Sequence, residues 1–453
     1  MSTGGEPLRL KAQVAAIIAA AAQALAGNRV VRNSLFSSAG FVVPLVLLLL
    51  FTPPLIGGMG VEGYGLWTLA LSVLGLMGTL ELGLGTAIAK FVAEYHSKGD
   101  ADGLSAAVST GLLLQTAIGL LLTCPLYLLA PAVARWFGGS ALSLNGVEQA
   151  IRLTALALVP VLWRSGGLAV PTGLQRFEIP MVLNVSQRIL LLTAALLVVL
   201  LGGTVQEAIL STVVVTWSFG LASLAVMFRL LRGSQARLYV SWRYAHEMLS
   251  FAAFNGAASI GGQVFGSMDR LAVGAVLGLS GLTYYTVAIG IANKLLYLTD
   301  YLTRSLMPAT SAWNAAGDHR KLVLYYRRST AVVVALNVGM AAVLLVASEP
   351  FMRLWMGASF AAETVPALRI LTIVYMMTSL NAPAYQMANG LGRPWICAVT
   401  SLVGGAGTIC LIVVLGRTMG LQGAAWANAA YWVTLLVIVY VGHLLSRGPA
   451  GTR

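Results

Sequence analysis

The sequence predicts an all-α polytopic membrane protein with about twelve transmembrane helices, arranged as two six-helix bundles related by an internal repeat. Of its 453 residues, 58% are hydrophobic and only 9% are charged, whereas a soluble chain carries about 25% charged residues. The apolar runs are long and continuous, as at 41–50 and 189–201, and they lack the two-residue alternation of a transmembrane barrel. Helices are therefore the predicted membrane-spanning elements.

The predicted spans are 33–56, 63–88, 104–130, 149–173, 180–201, 207–228, 249–277, 282–308, 329–348, 364–389, 395–416 and 421–444. They divide into a first six-helix bundle at 33–228 and a second at 249–445, joined by a basic cytoplasmic linker at 229–248. Residues 1–32 are expected to form a cytoplasmic N-terminal segment with an interfacial helix, and 446–453 a cytoplasmic tail. Expected kinks lie at Pro44, Pro160, Pro308 and Pro383.

Short sequence phrases recur in the two halves at a nearly constant distance. The recurring phrases are Gly60 with Gly278, Gly99-Asp100 with Gly317-Asp318, and Gly173-Leu174-x-Arg176 with Gly390-Leu391-x-Arg393. Because the matches keep their order with little drift in spacing, they indicate a duplication. Six spans in each half give both halves the same orientation, so the predicted repeat is parallel. Duplicated halves around a central site are typical of transporters.

The positive charges are distributed unevenly between the two sides of the predicted spans. Of the 28 Lys and Arg residues, 18 fall in connections or tails on one side, five in the connections or span ends on the other side, and five deeper within spans. The positive-inside rule therefore places both termini in the cytoplasm. The net charge of +13 is explained by this orientation, and nucleic acid is not an expected partner. The lone cysteines Cys124, Cys397 and Cys410 are interpreted as small core residues.

Eight charged residues remain inside the predicted spans: the cations Arg164, Arg188, Arg270, Lys294 and Arg304, and the acids Glu81, Asp269 and Asp300. Facing lipid, they would cost about 2.5–3.5 kcal/mol each, on the order of 20–28 kcal/mol together. That exceeds the whole stability of a typical fold, about 5–15 kcal/mol. These side chains are therefore expected to face an interior, to pair with one another or to contact water.

Two predicted spans present polar side chains on one face. With about 100° of rotation per residue, one arc of the eighth span holds Asn293, Lys294, Tyr297, Asp300, Tyr301 and Arg304. A similar arc of the seventh span holds Asn255, Ser259, Gln263, Gly266, Asp269 and Arg270. Neighbouring helices with such faces are predicted to line a shared cavity.

Five cations and three acids give the predicted cavity a net charge of +2. Guanidinium groups bind phosphate oxygens bidentately, so phosphate or pyrophosphate is the expected ligand chemistry. The predicted substrate-binding residues are Arg270, Lys294, Arg164, Arg188, Arg304, Asn255, Gln263, Tyr297 and Tyr301. Asp269, Asp300 and Glu81 are predicted to pair with these cations or to take a coupling ion. No catalytic residue, metal ligand or cofactor is predicted, although coupling to a Na⁺ or H⁺ gradient fits the acids.

Most of these charges also have a structural interpretation. Asp300 and Arg304 could form an ordinary helix pair, Asp269 could neutralise Arg270, and Glu81 could serve in helix packing. Arg164, Arg188 and Arg304 could extend to the cytoplasmic interface. Lys294 has no acid three or four residues away. At the spacing between Gly60 and Gly278, the first-half counterparts of Asp269, Arg270, Lys294 and Asp300 are the uncharged Phe51, Thr52, Leu76 and Leu82. The fold therefore does not require charge there, which favours a functional origin.

Several phrases resemble the polysaccharide and oligosaccharide flippases of the multidrug/oligosaccharidyl-lipid/polysaccharide exporter superfamily. They are Gly63-Tyr64-Gly65-Leu66-Trp67, Glu81-Leu82-Gly83-Leu84-Gly85, Lys90-Phe91-Val92-Ala93-Glu94-Tyr95-His96, Gly99-Asp100, Asp269-Arg270-Leu271 and Tyr284-Tyr285-Thr286-Val287-Ala288. The resemblance covers nearly the whole chain. It implies two bundles in a V shape that work by alternating access in a prokaryotic inner membrane.

By the same resemblance, the expected substrate is an undecaprenyl-pyrophosphate-linked oligosaccharide that moves to the outer leaflet for polysaccharide biosynthesis, with a polymerase and a chain-length regulator as expected partners. The chain departs from the lipid II flippase branch, which has fourteen spans. It also lacks an acidic cluster in its first bundle, which counts against the alternative of a cation-coupled multidrug exporter. A membrane-embedded glycan polymerase or ligase would need a larger outer loop or a soluble domain, and a scaffold would not explain the intramembrane charges.

Overall fold

A computed structural model describes the backbone of residues 29–79, 81, 83–137, 144–231 and 242–446. Side chains are described for the same residues except 29–43, 243 and 253–266. The chain divides into two compact units, Met1–Leu50 and Phe51–Arg453. In the first unit, residues 29–50 are helical. The second unit contains the remaining helices and every candidate site residue.

The described residues are helical almost throughout, and no strand occurs among them, which confirms the predicted all-α class. The helices are α1 Arg29–Thr79, α2 Leu84–Lys98, α3 Ala101–Leu128, α4 Ala130–Trp136, α5 Leu144–Ala155, α6 Leu158–Gly173, α7 Glu178–Leu200, α8 Val205–Leu231, α9 Trp242–Ala292, α10 Lys294–Thr303, α11 Leu306–Ala315, α12 His319–Met356, α13 Ala358–Ser379, α14 Ala382–Gly390, α15 Pro394–Ala427 and, after a 3₁₀ segment at Asn428–Leu435, α16 Leu436–Ser446.

Nine segments of the described chain are long and apolar enough to cross a membrane. Three of them, Pro44–Thr79, Ser267–Ala315 and Pro394–Ser446, each contain a glycine with a positive φ angle: Gly60, Gly278 or Gly420. The sequence predicts two spans within each of these three segments. In each segment, the two predicted spans are separated by this glycine, whose left-handed backbone conformation other residues do not adopt readily. The protein is a multi-pass membrane protein, while the exact number of twelve spans stays a prediction.

The breaks recur at the spacing of the predicted repeat. Gly60 has φ 76° and ψ 168°, and Gly278, its counterpart in the second half, has φ 73° and ψ −176°. Asp100 caps α3 by accepting a hydrogen bond from the backbone of Gly103, and Asp318 caps α12 by accepting one from Lys321. The same local chemistry thus starts the helix that contains the third predicted span of each half. The assignment of two bundles at 33–228 and 249–445 stays a prediction.

Several predicted spans are interrupted in the structure. The second span is broken between α1 and α2, where Glu81 lies in a turn and Gly83 has φ 78°. The fourth is broken between α5 and α6, the eighth after α10 and the tenth after α13. Pro160, Pro308 and Pro383 each lie in the first turn of the helix that follows such a break. Proline is tolerated there because the first-turn amides have no helical acceptor.

Buried apolar residues hold the end of α2 against neighbouring helices. Ile88 and Phe91 of α2 belong to a cluster with Val170 of α6, Met227 of α8 and Met248 of α9. This packing places the last turns of α2 beside the first turns of α9.

Outward-facing side chains are often large and apolar, as for Leu354, which is 91% exposed, and this is the surface expected to meet lipid. Cys397 is buried, but Cys124 and Cys410 are exposed. The interpretation of all three cysteines as core residues is therefore wrong for two of them.

Candidate functional site

Three cations from three helices lie within electrostatic range of one another. They are Arg188 on α7, Arg270 on α9 and Lys294 at the start of α10. Arg188 is exposed, while Arg270 and Lys294 are half-buried, so all three have surface open to a ligand. The sequence predicted all three as binding residues, and the structure brings them together. We call this set the cationic cluster.

Two tyrosines border the cationic cluster. The Lys294 ammonium lies 5.6 Å from the ring centroid of Tyr297, one turn further along α10, and Tyr297 also interacts electrostatically with Arg188. Tyr64 on α1 is buried and lies within electrostatic range of Arg270. Aromatic rings beside a cation stabilise its charge through their negative faces. Residues from both sequence halves therefore contribute to this cluster.

The Asp269 carboxylate lies within electrostatic range of Arg270 but forms no ion pair with the cationic cluster. Among the side chains that the structure describes, no acid lies within 4 Å of Arg188, Arg270 or Lys294 to form an ion pair. The buried Nε of Arg270 has no hydrogen-bond partner among the residues that the structure describes. Like charges held together repel one another, most strongly where the surroundings are apolar. Binding of an anion would relieve this repulsion.

Asp269 is held by a chain of hydrogen bonds to uncharged groups rather than by an ion pair with the Arg270 guanidinium. Its carboxylate is 5% exposed and accepts a 2.6 Å bond from the backbone N–H of Arg270. It also accepts a 3.3 Å bond from the hydroxyl of Tyr285, which in turn accepts a 2.9 Å bond from the amide of Asn428. The Tyr375 hydroxyl donates to the Asn428 carbonyl at 3.4 Å. The charge of Asp269 is thus solvated by fixed polar groups.

Glu81 and Arg164 form a separate polar site. Arg164 on α6 donates a hydrogen bond to the side chain of Asn184 on α7 and interacts electrostatically with Glu81. Glu81, in the turn before α2, also interacts with the hydroxyl of Ser165. One carboxylate oxygen of Glu81 and the Nε of Arg164 are buried without a hydrogen-bond partner among the described residues. Arg164 therefore lies with Glu81 rather than in the cationic cluster.

Arg304 is also apart from the cationic cluster. Its guanidinium forms a 2.9 Å ion pair with Asp300, one turn earlier, and lies 4.6 Å from the ring centroid of Tyr301. The other oxygen of Asp300 accepts a hydrogen bond from Gln386 on α14 at 3.2 Å. Asp300 and Arg304 therefore form the ordinary ion pair within one helix that the sequence analysis gave as the alternative to substrate binding. Asn255 and Gln263, which were also predicted to bind substrate, lie outside the residues whose side chains are described.

Tyr285, Asn428, Tyr375 and Tyr64 were not predicted as site residues. The predicted site residues were charged residues and polar residues on one face of two spans. These four side chains are instead uncharged and lie on four different helical segments. A signal was nevertheless present, because Asn428 is an amide within a strongly apolar stretch. Buried amides need hydrogen-bond partners, and a search for them would have identified Asn428.

The chain is similar in sequence to an uncharacterized membrane protein and to a putative O-antigen transporter. It is 23% identical over 394 residues to the uncharacterized membrane protein EpsK of Bacillus subtilis, covering 86% of this chain and 78% of that protein. It is 18% identical over 399 residues to a putative O-antigen transporter of Shigella flexneri, covering 87% of this chain and 93% of that protein. These similarities agree with the expected resemblance to polysaccharide flippases.

The fold is similar to that of the lipid II flippase MurJ in an inward closed conformation. The TM-score is 0.75, with 13% sequence identity, and the match covers 90% of this chain and 87% of MurJ. At this identity the likeness establishes the fold alone, which confirms the predicted transporter fold. The polysaccharide biosynthesis protein family matches residues 19–313, more than half of the chain, and the resemblance to polysaccharide flippases is thereby confirmed. The chain belongs to the polysaccharide biosynthesis protein family.

Proposed function

We propose that this protein moves an undecaprenyl-pyrophosphate-linked oligosaccharide from the cytoplasmic to the outer leaflet of the inner membrane by alternating access. The observation that carries the proposal is the cationic cluster of Arg188, Arg270 and Lys294, which has no carboxylate within ion-pair distance among the described side chains. A diphosphate supplies several negatively charged oxygens at once, and arginine binds such oxygens in bidentate fashion. Family membership supports the glycan as cargo.

The energetic role of the cationic cluster follows from the cost of moving a diphosphate through an apolar medium. An isolated anion would lose its hydration, whereas the cluster replaces water with fixed positive charges. Repulsion within the empty cluster disappears when the diphosphate binds, so the empty protein is destabilised relative to the loaded one. An inside-negative membrane potential also favours outward movement of an anion, by about 2.3 kcal/mol per charge per 100 mV.

Finer features of the proposal concern coupling, partners and orientation. Asp269, Asp300 and Glu81 are the acids that could take a coupling Na⁺ or H⁺, and Asp269 is the buried one that lies beside the cationic cluster. Both termini are proposed to be cytoplasmic, because most connecting cations fall on that side. A polysaccharide polymerase and a chain-length regulator are the proposed protein partners, and no catalytic step is assigned to this chain.

The test is transbilayer movement of a fluorescent polyprenyl-pyrophosphate oligosaccharide in liposomes that contain the purified protein. Wild type is expected to move the probe, and Arg270→Ala and Lys294→Ala to slow it by about tenfold or more. Arg304→Ala is the matched control, because its guanidinium is already paired with Asp300, and it should retain most of the rate. Absence of movement by folded wild type, with and without an ion gradient, would refute the proposal.

A cation-coupled multidrug exporter is the alternative on a related fold. The cationic cluster opposes it, since cationic drugs would be repelled by three like charges. The same liposomes can be loaded with a cationic dye under a Na⁺ or H⁺ gradient. Dye movement that is lost in Asp269→Asn, without glycan movement, would favour the exporter over the flippase.

A further inference from the structure

An open groove of about 810 Å³ lies between the last turns of α2 and the first turns of α9, away from the cationic cluster. Its lining residues are Lys90, Phe91, Glu94, Tyr95, Lys98, Tyr244, Glu247, Ser250 and Phe251. The α2 residues follow the second predicted span, and the α9 residues lie just before the seventh or at its first residues, so the predicted orientation places the groove at the cytoplasmic surface. The groove is large enough to hold one or two sugar rings.

Lys90 is held in place by aromatic rings rather than by a carboxylate. Its ammonium nitrogen lies 4.5 Å from the ring centroid of Phe91 and 4.5 Å from that of Phe251. No acid lies within ion-pair distance of it among the side chains described. Its exposed charge is therefore oriented by two ring faces and remains available to an anion. Lys98 differs, because it already pairs with Glu94 at 2.7 Å.

The rest of the groove combines ring faces with hydrogen-bonding groups. Tyr95 and Tyr244 meet edge to face, with ring centroids 5.6 Å apart. The hydrogen bond from Lys98 lowers the pKa of Glu94, which keeps this side chain a carboxylate. Burial, together with the contact to Tyr244, raises the pKa of Tyr95, which keeps its hydroxyl protonated. Sugar C–H groups pack on ring faces and sugar hydroxyls donate to carboxylates, so these groups suit a saccharide.

The duplicated half lacks this chemistry at the corresponding positions. At the repeat spacing, the counterparts of Lys90, Phe91, Glu94, Tyr95 and Lys98 are Pro308, Ala309, Ala312, Trp313 and Ala316. They belong to α11 and to its C-terminal cap, and α11 is followed by Gly317-Asp318 as α2 is by Gly99-Asp100. A helix at this place can therefore form without the two lysines and the glutamate. Helix packing alone does not account for them.

We propose that the groove between α2 and α9 is an entry site, which binds the sugar-diphosphate headgroup of a lipid-linked saccharide before the saccharide reaches the cationic cluster. This proposal rests on the proposed flippase function. Lys90 binds the diphosphate at the membrane surface. The rings of Tyr95 and Tyr244 pack against the first sugar, and the Glu94 and Glu247 carboxylates accept hydrogen bonds from its hydroxyl groups.

The test places a reporter in the groove itself. Ser250 is exposed and lines the groove, so Ser250→Cys can carry an environment-sensitive fluorophore in a background with the exposed Cys124 and Cys410 changed to serine. Three probes are titrated against the labelled protein in nanodiscs: farnesyl-diphospho-N-acetylglucosamine, farnesyl diphosphate, and phosphatidylglycerol added to the nanodisc lipid. The sugar-bearing probe is expected to bind several-fold tighter than farnesyl diphosphate.

Single substitutions then separate the two parts of the headgroup. Lys90→Gln should weaken binding of both diphosphate probes by about tenfold, and Lys90→Arg should restore it. Tyr244→Leu should abolish the preference for the sugar-bearing probe. Lys321→Gln is the control. Lys321 lies in the second half, shortly after the counterparts of the α2 groove residues, and it is paired with Asp318 at 2.7 Å.

Unchanged binding in folded Lys90→Gln would overturn the entry site, even where liposome transport by wild type establishes the flippase. A response to phosphatidylglycerol equal to that of the sugar-bearing probe would also overturn it, because the groove would then be a general anionic-lipid site. Conversely, the wild type could bind the headgroup in the groove, lose that binding in Lys90→Gln, and yet show no transport. That result would count against the flippase and leave headgroup recognition standing. The thermal midpoint of each variant shows whether it is folded.

Discussion

The hydroxyl of Ser280 donates a 3.2 Å hydrogen bond to the carboxylate of Glu62, although 218 residues separate them in the chain. This separation is the spacing of the predicted repeat, which would give the two residues equivalent positions in the two halves. Beside this contact, the hydroxyl of Thr283 donates a 2.6 Å bond to the carbonyl of Val61. Contacts between equivalent residues are expected next to a two-fold axis. We call these contacts the Glu62–Ser280 seam.

The Glu62–Ser280 seam is expected to open when the protein releases its substrate, because both residues fall in the predicted outer connections of α1 and α9. Cross-linking Glu62→Cys with Ser280→Cys should therefore stop transport in liposomes, and a reducing agent should restore it. Each single cysteine variant, treated with the same oxidant, should retain its rate. Full transport by a completely cross-linked protein would show that the seam does not part during the cycle.

Gly65 lets α1 approach α9 closely at the same seam. A methyl group at this position would overlap the carbonyl oxygen of Leu279 and crowd the hydroxyl of Thr283. Gly65→Ala is therefore expected to destabilise the protein by about 1–3 kcal/mol, measured as a lower thermal midpoint in detergent. Gly57→Ala is the control, since Gly57 lies in the same helix with no neighbouring atom within 4 Å of such a methyl group. It should be neutral or slightly stabilising.

Much of this fold could be predicted from local sequence. Long apolar runs predicted the spans, and the repeated Gly-Asp phrase indicated the duplication, but the helix starts at Ala101 and His319 directly after that phrase were not predicted. The interruption after Thr79 was not predicted, because apolar composition continues across it and the packing of neighbouring helices decides where that helix breaks, whereas the break before Leu158 lies two residues from the expected kink at Pro160. Intramembrane helices tolerate such breaks when protein rather than lipid surrounds them.

The candidate site could be predicted only in part. Charge inside a span drew attention to Arg188, Arg270 and Lys294, which the structure brings together, and equally to Arg304, which is paired within its own helix. The helix pair of Arg304 was already one of the two interpretations of its charge, whereas the proximity of the other three cations depends on which helices are neighbours, a fact of the tertiary structure. The hydrogen-bond chain of Asp269 likewise runs through Tyr285 to Asn428, which belongs to a distant part of the sequence and lies beyond the reach of helical periodicity.

Lys294→Gln is expected to have opposite effects on the empty and the loaded protein. Removing one of three neighbouring cations relieves repulsion, so the thermal midpoint without ligand should rise. Stabilisation by added farnesyl diphosphate should fall, because the diphosphate loses a partner. Arg304→Gln, which removes a paired cation, should lower the empty midpoint or leave it unchanged. A lower empty midpoint for Lys294→Gln would indicate that Lys294 stabilises the fold through contacts other than charge.

Asp318 should make stability sensitive to acid. Its hydrogen bonds to the side chain and the backbone N–H of Lys321 hold the pKa of this carboxyl below its ordinary value. The pKa is thus lower in the folded than in the unfolded state, so the stabilisation is complete above the unfolded value of about 4 and is lost as pH falls below it. The thermal midpoint of Asp318→Asn should be lower than that of wild type at pH 7, and the difference should shrink as the pH falls below the unfolded value of about 4. Parallel curves for the two proteins would contradict this assignment.

The hydroxyl of Tyr285 connects Asn428 to Asp269 and is expected to be coupled energetically to both. Tyr285→Phe leaves a buried carboxylate and a buried amide without that partner, so unfolding should become easier by about 1–3 kcal/mol. In an Asp269→Asn background the carboxylate charge is gone, and the further cost of Tyr285→Phe should be smaller. A double-mutant cycle on thermal or denaturant unfolding measures this coupling, for which contacting polar residues typically give about 0.5–3 kcal/mol. Strict additivity would mean that the Tyr285 hydroxyl does not stabilise the Asp269 charge, and the buried carboxylate would then need another source of solvation.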